Sequence, residues 1–141
     1  MSASEQLPLG HLMNLTLNRL RAEVTIRILE PLGLGFAQYI CLRILQERPG
    51  MSNADMAREI RVSPQAMNIV VRALQERGLI TRPSTVASGR SRPTELTTAG
   101  RDLVAQTDPE LRAAEDQLLE VLSPAQRTEL RHMMTLLADL E

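Results

Sequence analysis

The sequence predicts a mainly α fold with a single small β-hairpin. Apolar residues recur at three- and four-residue spacing along most of the chain, and the one β-prone stretch is interrupted by a loop of Ser, Gly and Arg. Pro, Gly, Ser and Thr stand at the joints between apolar stretches, where helix starts and stops require them.

After a polar start, Leu9 to Leu29 places Leu9, Met13, Leu17, Leu20, Val24 and Ile28 on one stripe, the pattern of a long amphipathic helix that Pro31 and Gly33 end. Phe36 to Arg48 repeats the signal through Tyr39, Cys41, Leu42 and Leu45, and Pro49-Gly50 closes it. Ser52 caps a short helix from Asn53 to Ile60, with Met56, Ala57 and Ile60 as its apolar positions. Ser63-Pro64 pairs an N-cap side chain with the residue best tolerated at the first helical position, so a further helix begins there. Met67, Val70, Val71 and Leu74 form its buried stripe, and Gly78 is its left-handed stop. Leu79-Ile80-Thr81 and Thr94-Glu95-Leu96-Thr97 are the two strand segments. Thr97 caps a helix from Ala99, which Asp108-Pro109 is expected to kink or restart, because a proline inside a helix removes a hydrogen bond. Leu111, Ala114, Leu118, Val121 and Leu122 continue its apolar face. Ser123-Pro124-Ala125-Gln126 is a capping box, and Leu130, Met133, Met134, Leu137 and Leu140 mark the last helix.

A chain of 141 residues is one domain by length and can build a core without staples. Three segments are expected within it: an N-terminal dimerisation helix over 1–33, a central unit over 34–98, and C-terminal dimerisation helices over 99–141. No apolar run reaches the ~20 residues that cross a bilayer, and the start carries no cationic cluster of a signal peptide, so a cytoplasmic protein without a membrane partner is expected. Cys41 is alone, and His11 and His132 stand far apart; no disulfide, metal site or cofactor is expected. Nor is there Ser-His-Asp spacing or a phosphate-cradling glycine loop, which leaves no catalytic residue to name and argues against an enzyme. Phe36 and Tyr39 are the only aromatics, too few for single-strand binding by base stacking.

Charge is segregated. Residues 61–92 carry Arg61, Arg72, Arg77, Arg82, Arg90 and Arg92 against Glu76 alone, while the whole chain has a formal net charge of -1. From Arg101 onward four arginines face nine acids, an end that should avoid DNA. Only Arg61 and Val62 separate the Asn53 and Ser63 helices, which is helix-turn-helix spacing. The outward set Gln65, Asn68, Ile69 and Arg72 has no acidic member; amides and a guanidinium suit base edges and phosphates. Arg77 is read differently, as a cation beside a helix C-terminus, where the dipole favours it.

The run VSPQAMNIVVRALQERGLITR followed by SGRSRPTELTTAGRDL resembles the MarR (multiple antibiotic resistance regulator) family of winged helix-turn-helix transcription factors. The likeness spans about Leu9 to Leu140, is strongest from Leu34 to Leu103, and is most specific in LQERGLI and LTTAG. It implies a homodimer whose terminal helices interlock into a dimerisation domain, with double-stranded DNA as partner and each β-hairpin, the wing, entering a minor groove. By position, Gln65, Asn68, Ile69 and Arg72 would face the major groove, Ser63 and Pro64 would open the reading end, and Arg90 would be the wing-tip arginine, with Arg92 and Ser88 beside it. One departure stands out: Ser88 occupies the place of an aspartate that commonly braces this arginine, and Gly89 replaces a frequent second arginine.

The resemblance also implies a small, often anionic aromatic effector that releases a repressor from its operator, with His11, Arg19, Tyr39 and Arg43 as candidates to line its pocket. Some relatives sense peroxide through a thiol, which makes Cys41 an alternative trigger, but its place on the apolar stripe between Tyr39 and Leu42 favours a buried, inert cysteine. A winged-helix interaction module without DNA binding is the other alternative; its expected sign, a neutral or acidic recognition face, is at odds with the arginines.

Overall fold

A computed structural model of the chain describes residues 2–82 and 93–140. Seven segments follow the sequence-derived order, and the first is a rod of three parts. Helix α1, Leu9–Val24, runs into a π turn at Thr25–Leu29 and a last α turn at Glu30–Leu32, stopped by Gly33 at φ 63°. The widened turn lies where the Pro31 ring would otherwise meet the carbonyl four residues back, that of Arg27, and it carries the rod past the proline. Thr25 Oγ1 donates to Arg21 O at 2.8 Å, a second bond to a carbonyl that also accepts from Thr25 N.

Helix α2, Phe36–Glu47, is the buried centre: Tyr39, Cys41, Leu42, Ile44 and Leu45 all lie inside. Helix α3, Asn53–Ile60, starts at Ser52, whose Oγ accepts from Asp55 N at 3.1 Å. Its end uses a non-glycine left-handed residue, Arg61 at φ 64°, and Val62 N then donates to Ala57 O at 3.0 Å. Helix α4, Pro64–Glu76, buries Met67, Val71 and Leu74 and stops at Gly78, φ 72°, as its sequence requires. Strands β1, Ile80–Thr81, and β2, Glu95–Leu96, pair antiparallel with Ile80 opposite Leu96. Met51 adds a bridge to Thr94, so the α2–α3 connection forms a third, one-residue edge of the hairpin base.

Helix α5, Thr98–Leu119, begins where Thr97 Oγ1 accepts from Gly100 N at 3.1 Å. Of the kink or restart expected at Pro109, the restart does not occur: the helix is continuous through the proline. Neighbouring contacts hold the turn despite the missing bond, since Thr107 is buried and donates to Val104 O at 2.7 Å, Asp108 pairs with Arg43 of α2, and Ala114 is fully buried beyond. Helix α6, Pro124–Leu137, opens with the Ser123 capping box and, among the described residues, buries none of its side chains. One aliphatic core thus joins the end of the first rod, α2 to α4, the hairpin base and most of α5. The first half of α1 and all of α6 stand outside it.

Candidate nucleic-acid interface

The outer face of α4 is held by packing beneath it and by caps at both ends. Met67 and Leu74 are wholly buried and Val71 nearly so, which turns Gln65, Asn68, Ile69 and Arg72 outward, all exposed. Ile69 is 72% exposed, a large apolar group offered to solvent on a face otherwise made of amides and a guanidinium. Arg72 forms no ion pair among the described residues. Ser63 and Pro64 are exposed at the start of the helix, where Ser63 Oγ accepts from Ala66 N at 3.1 Å; the hydroxyl is therefore engaged as a cap. Ser88, Arg90 and Arg92 fall outside the described residues.

The two helices of the turn motif are joined by a polar contact that periodicity could not reveal. Asn53 Nδ2, at the start of α3, donates to Asn68 Oδ1 on α4 at 2.9 Å. The remaining oxygen, Asn53 Oδ1, is buried with no hydrogen-bond partner among the described residues. Such an oxygen costs on the order of 1–3 kcal/mol when nothing replaces its water.

Arg77 caps a helix end, but not its own. Its guanidinium donates to Gly33 O at 3.0 Å and Leu32 O at 2.9 Å, carbonyls at the C-terminus of the first rod. A charge-assisted pair of bonds therefore ties the end of α4 to the N-terminal rod. Arginine's fork suits this task, and its long-range character is invisible in sequence.

The four expected effector contacts are not gathered around one cleft. His11 and Arg19 are exposed on α1; Tyr39 is buried on α2, with its Oη lacking a hydrogen-bond partner among the described residues; Arg43, one turn on, is half-buried and paired with Asp108. Burial opposes the Arg43 charge, but the hydrogen bond to Asp108 and nearby negative charge more than reverse this and raise its pKa. A cleft of about 270 Å³ opens instead between the end of the first rod and α5, lined by Arg27, Ile28, Leu32, Gln106, Thr107 and Glu110 among others. None of the four candidates lines it.

Cys41 is fully buried, 3.7 Å from Met56 Sδ, and burial pushes its pKa up to about 12 from an ordinary value of 9.0. At neutral pH it is a thiol without a reactive thiolate. Since the folded pKa exceeds the unfolded one, this group's stabilisation is complete below about pH 9 and is lost as pH rises toward 12. The native protein should resist iodoacetamide at pH 8 and react after denaturation in urea; rapid labelling of the native chain would contradict this burial.

This geometry, an exposed amide- and arginine-bearing helix braced by a second helix beside a hairpin, coincides with known proteins. Residues 36–91 match the MarR family model. The HTH-type transcriptional repressor Rv2887 of Mycobacterium tuberculosis is 41% identical over 134 residues, covering 95% of this chain and 96% of the relative. The chain belongs to the MarR family. As a MarR-family member it is a DNA-binding transcriptional regulator and not an enzyme. Solved structures of that mycobacterial relative superpose closely on this MarR-family chain. Its complex with salicylic acid has a TM-score of 0.80 at 41% identity, covering 95% of this chain and 98% of the other. Its complex with DNA has a TM-score of 0.81 at 38% identity, covering 94% and 98%.

Proposed function

We propose that this regulator works as a homodimer that represses transcription from a pseudo-palindromic operator whose half-sites lie about one helical turn apart. The observation that carries the dimer is the unpartnered apolar face of the chain ends. Leu9, Met13 and Leu17 on α1 and Met133, Met134, Leu136 and Leu137 on α6 are 45–69% exposed, and α6 buries nothing within its own chain. A helix with apolar groups and no core contact is stable when a second copy covers it. Segments 1–33 and 99–141 then form the dimerisation unit, and residues 34–98 the reader.

In this dimer the two α4 helices read neighbouring major grooves. Gln65, Asn68, Ile69 and Arg72 meet base edges and phosphates, the helix start at Ser63 and Pro64 lies against the backbone, and the wing residues Ser88, Arg90 and Arg92 reach the flanking minor grooves. A small anionic aromatic effector releases the operator by changing the separation of the two readers; the salicylic acid complex of the mycobacterial relative supports this class. Tyr39 and Arg43 offer a buried, unpartnered hydroxyl and a charged guanidinium to it, and His11 and Arg19 would join only where the partner copy folds α1 inward. Cys41 does not supply the trigger, because its thiol is buried and protonated. The exposed amides and guanidinium of Gln65, Asn68 and Arg72 likewise disfavour an interaction module that has lost DNA.

Competition between operator variants tests this reading. Asn68→Ala should lower discrimination at one base pair in each half-site by about tenfold, the scale of one bidentate amide contact. Arg90→Ala should weaken binding by an amount that varies with A·T content at the half-site edge. Wild-type affinity and selectivity in both variants would show that DNA is read elsewhere.

A further inference from the structure

We propose that Asn53 is a positioning residue for base recognition, holding the Asn68 amide in the orientation from which it reads DNA. The inference rests on the reading role proposed above for Asn68. Asn53 sits on α3, outside the recognition helix, yet its Nδ2 donates to Asn68 Oδ1 at 2.9 Å. A lone exposed asparagine would sample several side-chain orientations, and a bidentate contact needs both ends of its amide in the plane of the base edge. The Asn53 bond removes that freedom before DNA arrives.

The contact leaves the reading groups available. A side-chain carbonyl has two acceptor sites, so Asn68 Oδ1 can keep Asn53 and still accept from an adenine N6 amino group, while both Asn68 Nδ2 hydrogens stay free to donate to N7. It also sets polarity: the carbonyl end of the Asn68 amide lies toward α3 and the amino end away. A flipped amide would place donor against donor.

Stability alone does not account for Asn53. Its Oδ1 is buried without a hydrogen-bond partner among the described residues. Removing this side chain takes away an unsatisfied oxygen as well as a hydrogen bond, so a purely structural role would not predict an undiminished melting temperature. A role in orientation does.

Selection of bound sites from a randomised duplex pool, with the full-length protein, separates the possibilities. Asn53→Ala should retain the wild-type melting temperature and relax preference at the same base pair that Asn68→Ala relaxes, by roughly three- to tenfold. The double variant should be no more relaxed than Asn68→Ala, because both substitutions remove one function. Asn53→Asp places a carboxylate where only acceptance is available and, at a helix start, is electrostatically favoured. It should turn the Asn68 amide over and change which base is preferred at that position, not merely flatten the preference; this holds independently of how Asn53→Ala folds. If Asn68→Ala changes the preference while Asn53→Ala and Asn53→Asp leave it as in wild type, the positioning role is overturned and the reading role survives. If Asn68→Ala itself changes nothing, the reading role falls and takes this inference with it.

Discussion

Replacing Met133 and Leu137 with glutamate is expected to yield a monomer with an intact core and at least a hundredfold weaker hold on the operator. Both side chains are exposed within one chain, at 51% and 69%, and neither belongs to the core, so their loss removes little packing that the chain makes with itself. Across a two-fold axis four side chains would change at once. Each fully buried group of this size contributes about 1.5–3 kcal/mol, and two carboxylates per copy would have to be buried in its place. DNA affinity falls further than any single contact explains, because linked readers gain ~100-fold or more from the second half-site. Sedimentation velocity should show the mass halved, with the helical content of 34–98 kept. A variant that stays dimeric and binds normally would mean that this face serves something else.

Gly100→Ala should be the most damaging single substitution in the hairpin base. An added Cβ would lie 2.1 Å from the carbonyl oxygen of Leu79 and 3.2 Å from Leu96 Cδ2. The first is backbone and cannot rotate away, and that same oxygen already accepts from Thr97 N at 3.1 Å. Relief requires the start of α5 to lift from β1, which breaks the Thr97 N to Leu79 O and the Thr97 Oγ1 to Gly78 O bonds together. A loss of about 3 kcal/mol or more is expected, beyond the usual range for overpacking by one methyl. Urea denaturation should move the midpoint sharply downward. Asn68→Ala, by contrast, removes one exposed side-chain hydrogen bond, to Asn53, and should move the midpoint far less, so the pair separates damage to the scaffold from damage to the reader.

Gly100 also illustrates what sequence could and could not convey. It stands within the LTTAG word that carried the family resemblance, yet the reason for a glycine, a strand carbonyl pressed against a helix start, is a contact across 21 residues. Helix starts were legible because they are local: Ser52, Ser63, Thr97 and Ser123 each accept from a backbone N–H three residues on. The inward stripe of α4 was legible for the same reason, since Met67, Val71 and Leu74 are set by spacing alone. Pro109 does not end the helix because its local penalty is outweighed by Thr107, Asp108 and Ala114 packing elsewhere. The π turn before Pro31, the reach of Arg77 to the first rod and the Asn53–Asn68 pair depend on where distant segments meet, and no periodicity encodes that. The effector residues were named from resemblance, and the fold of one chain separates exposed His11 and Arg19 from buried Tyr39.

In the proposed dimer, two copies of α4 are held at a fixed separation by helices that one chain cannot satisfy. Affinity for operators with altered spacing measures that separation. Inserting five base pairs between the half-sites turns one reader to the opposite face of the duplex, and binding should fall by ~100-fold or more, with ten inserted pairs restoring the face but not the distance. Equal affinity for the native and the five-pair operator would contradict a fixed separation, since independent readers have no spacing to keep.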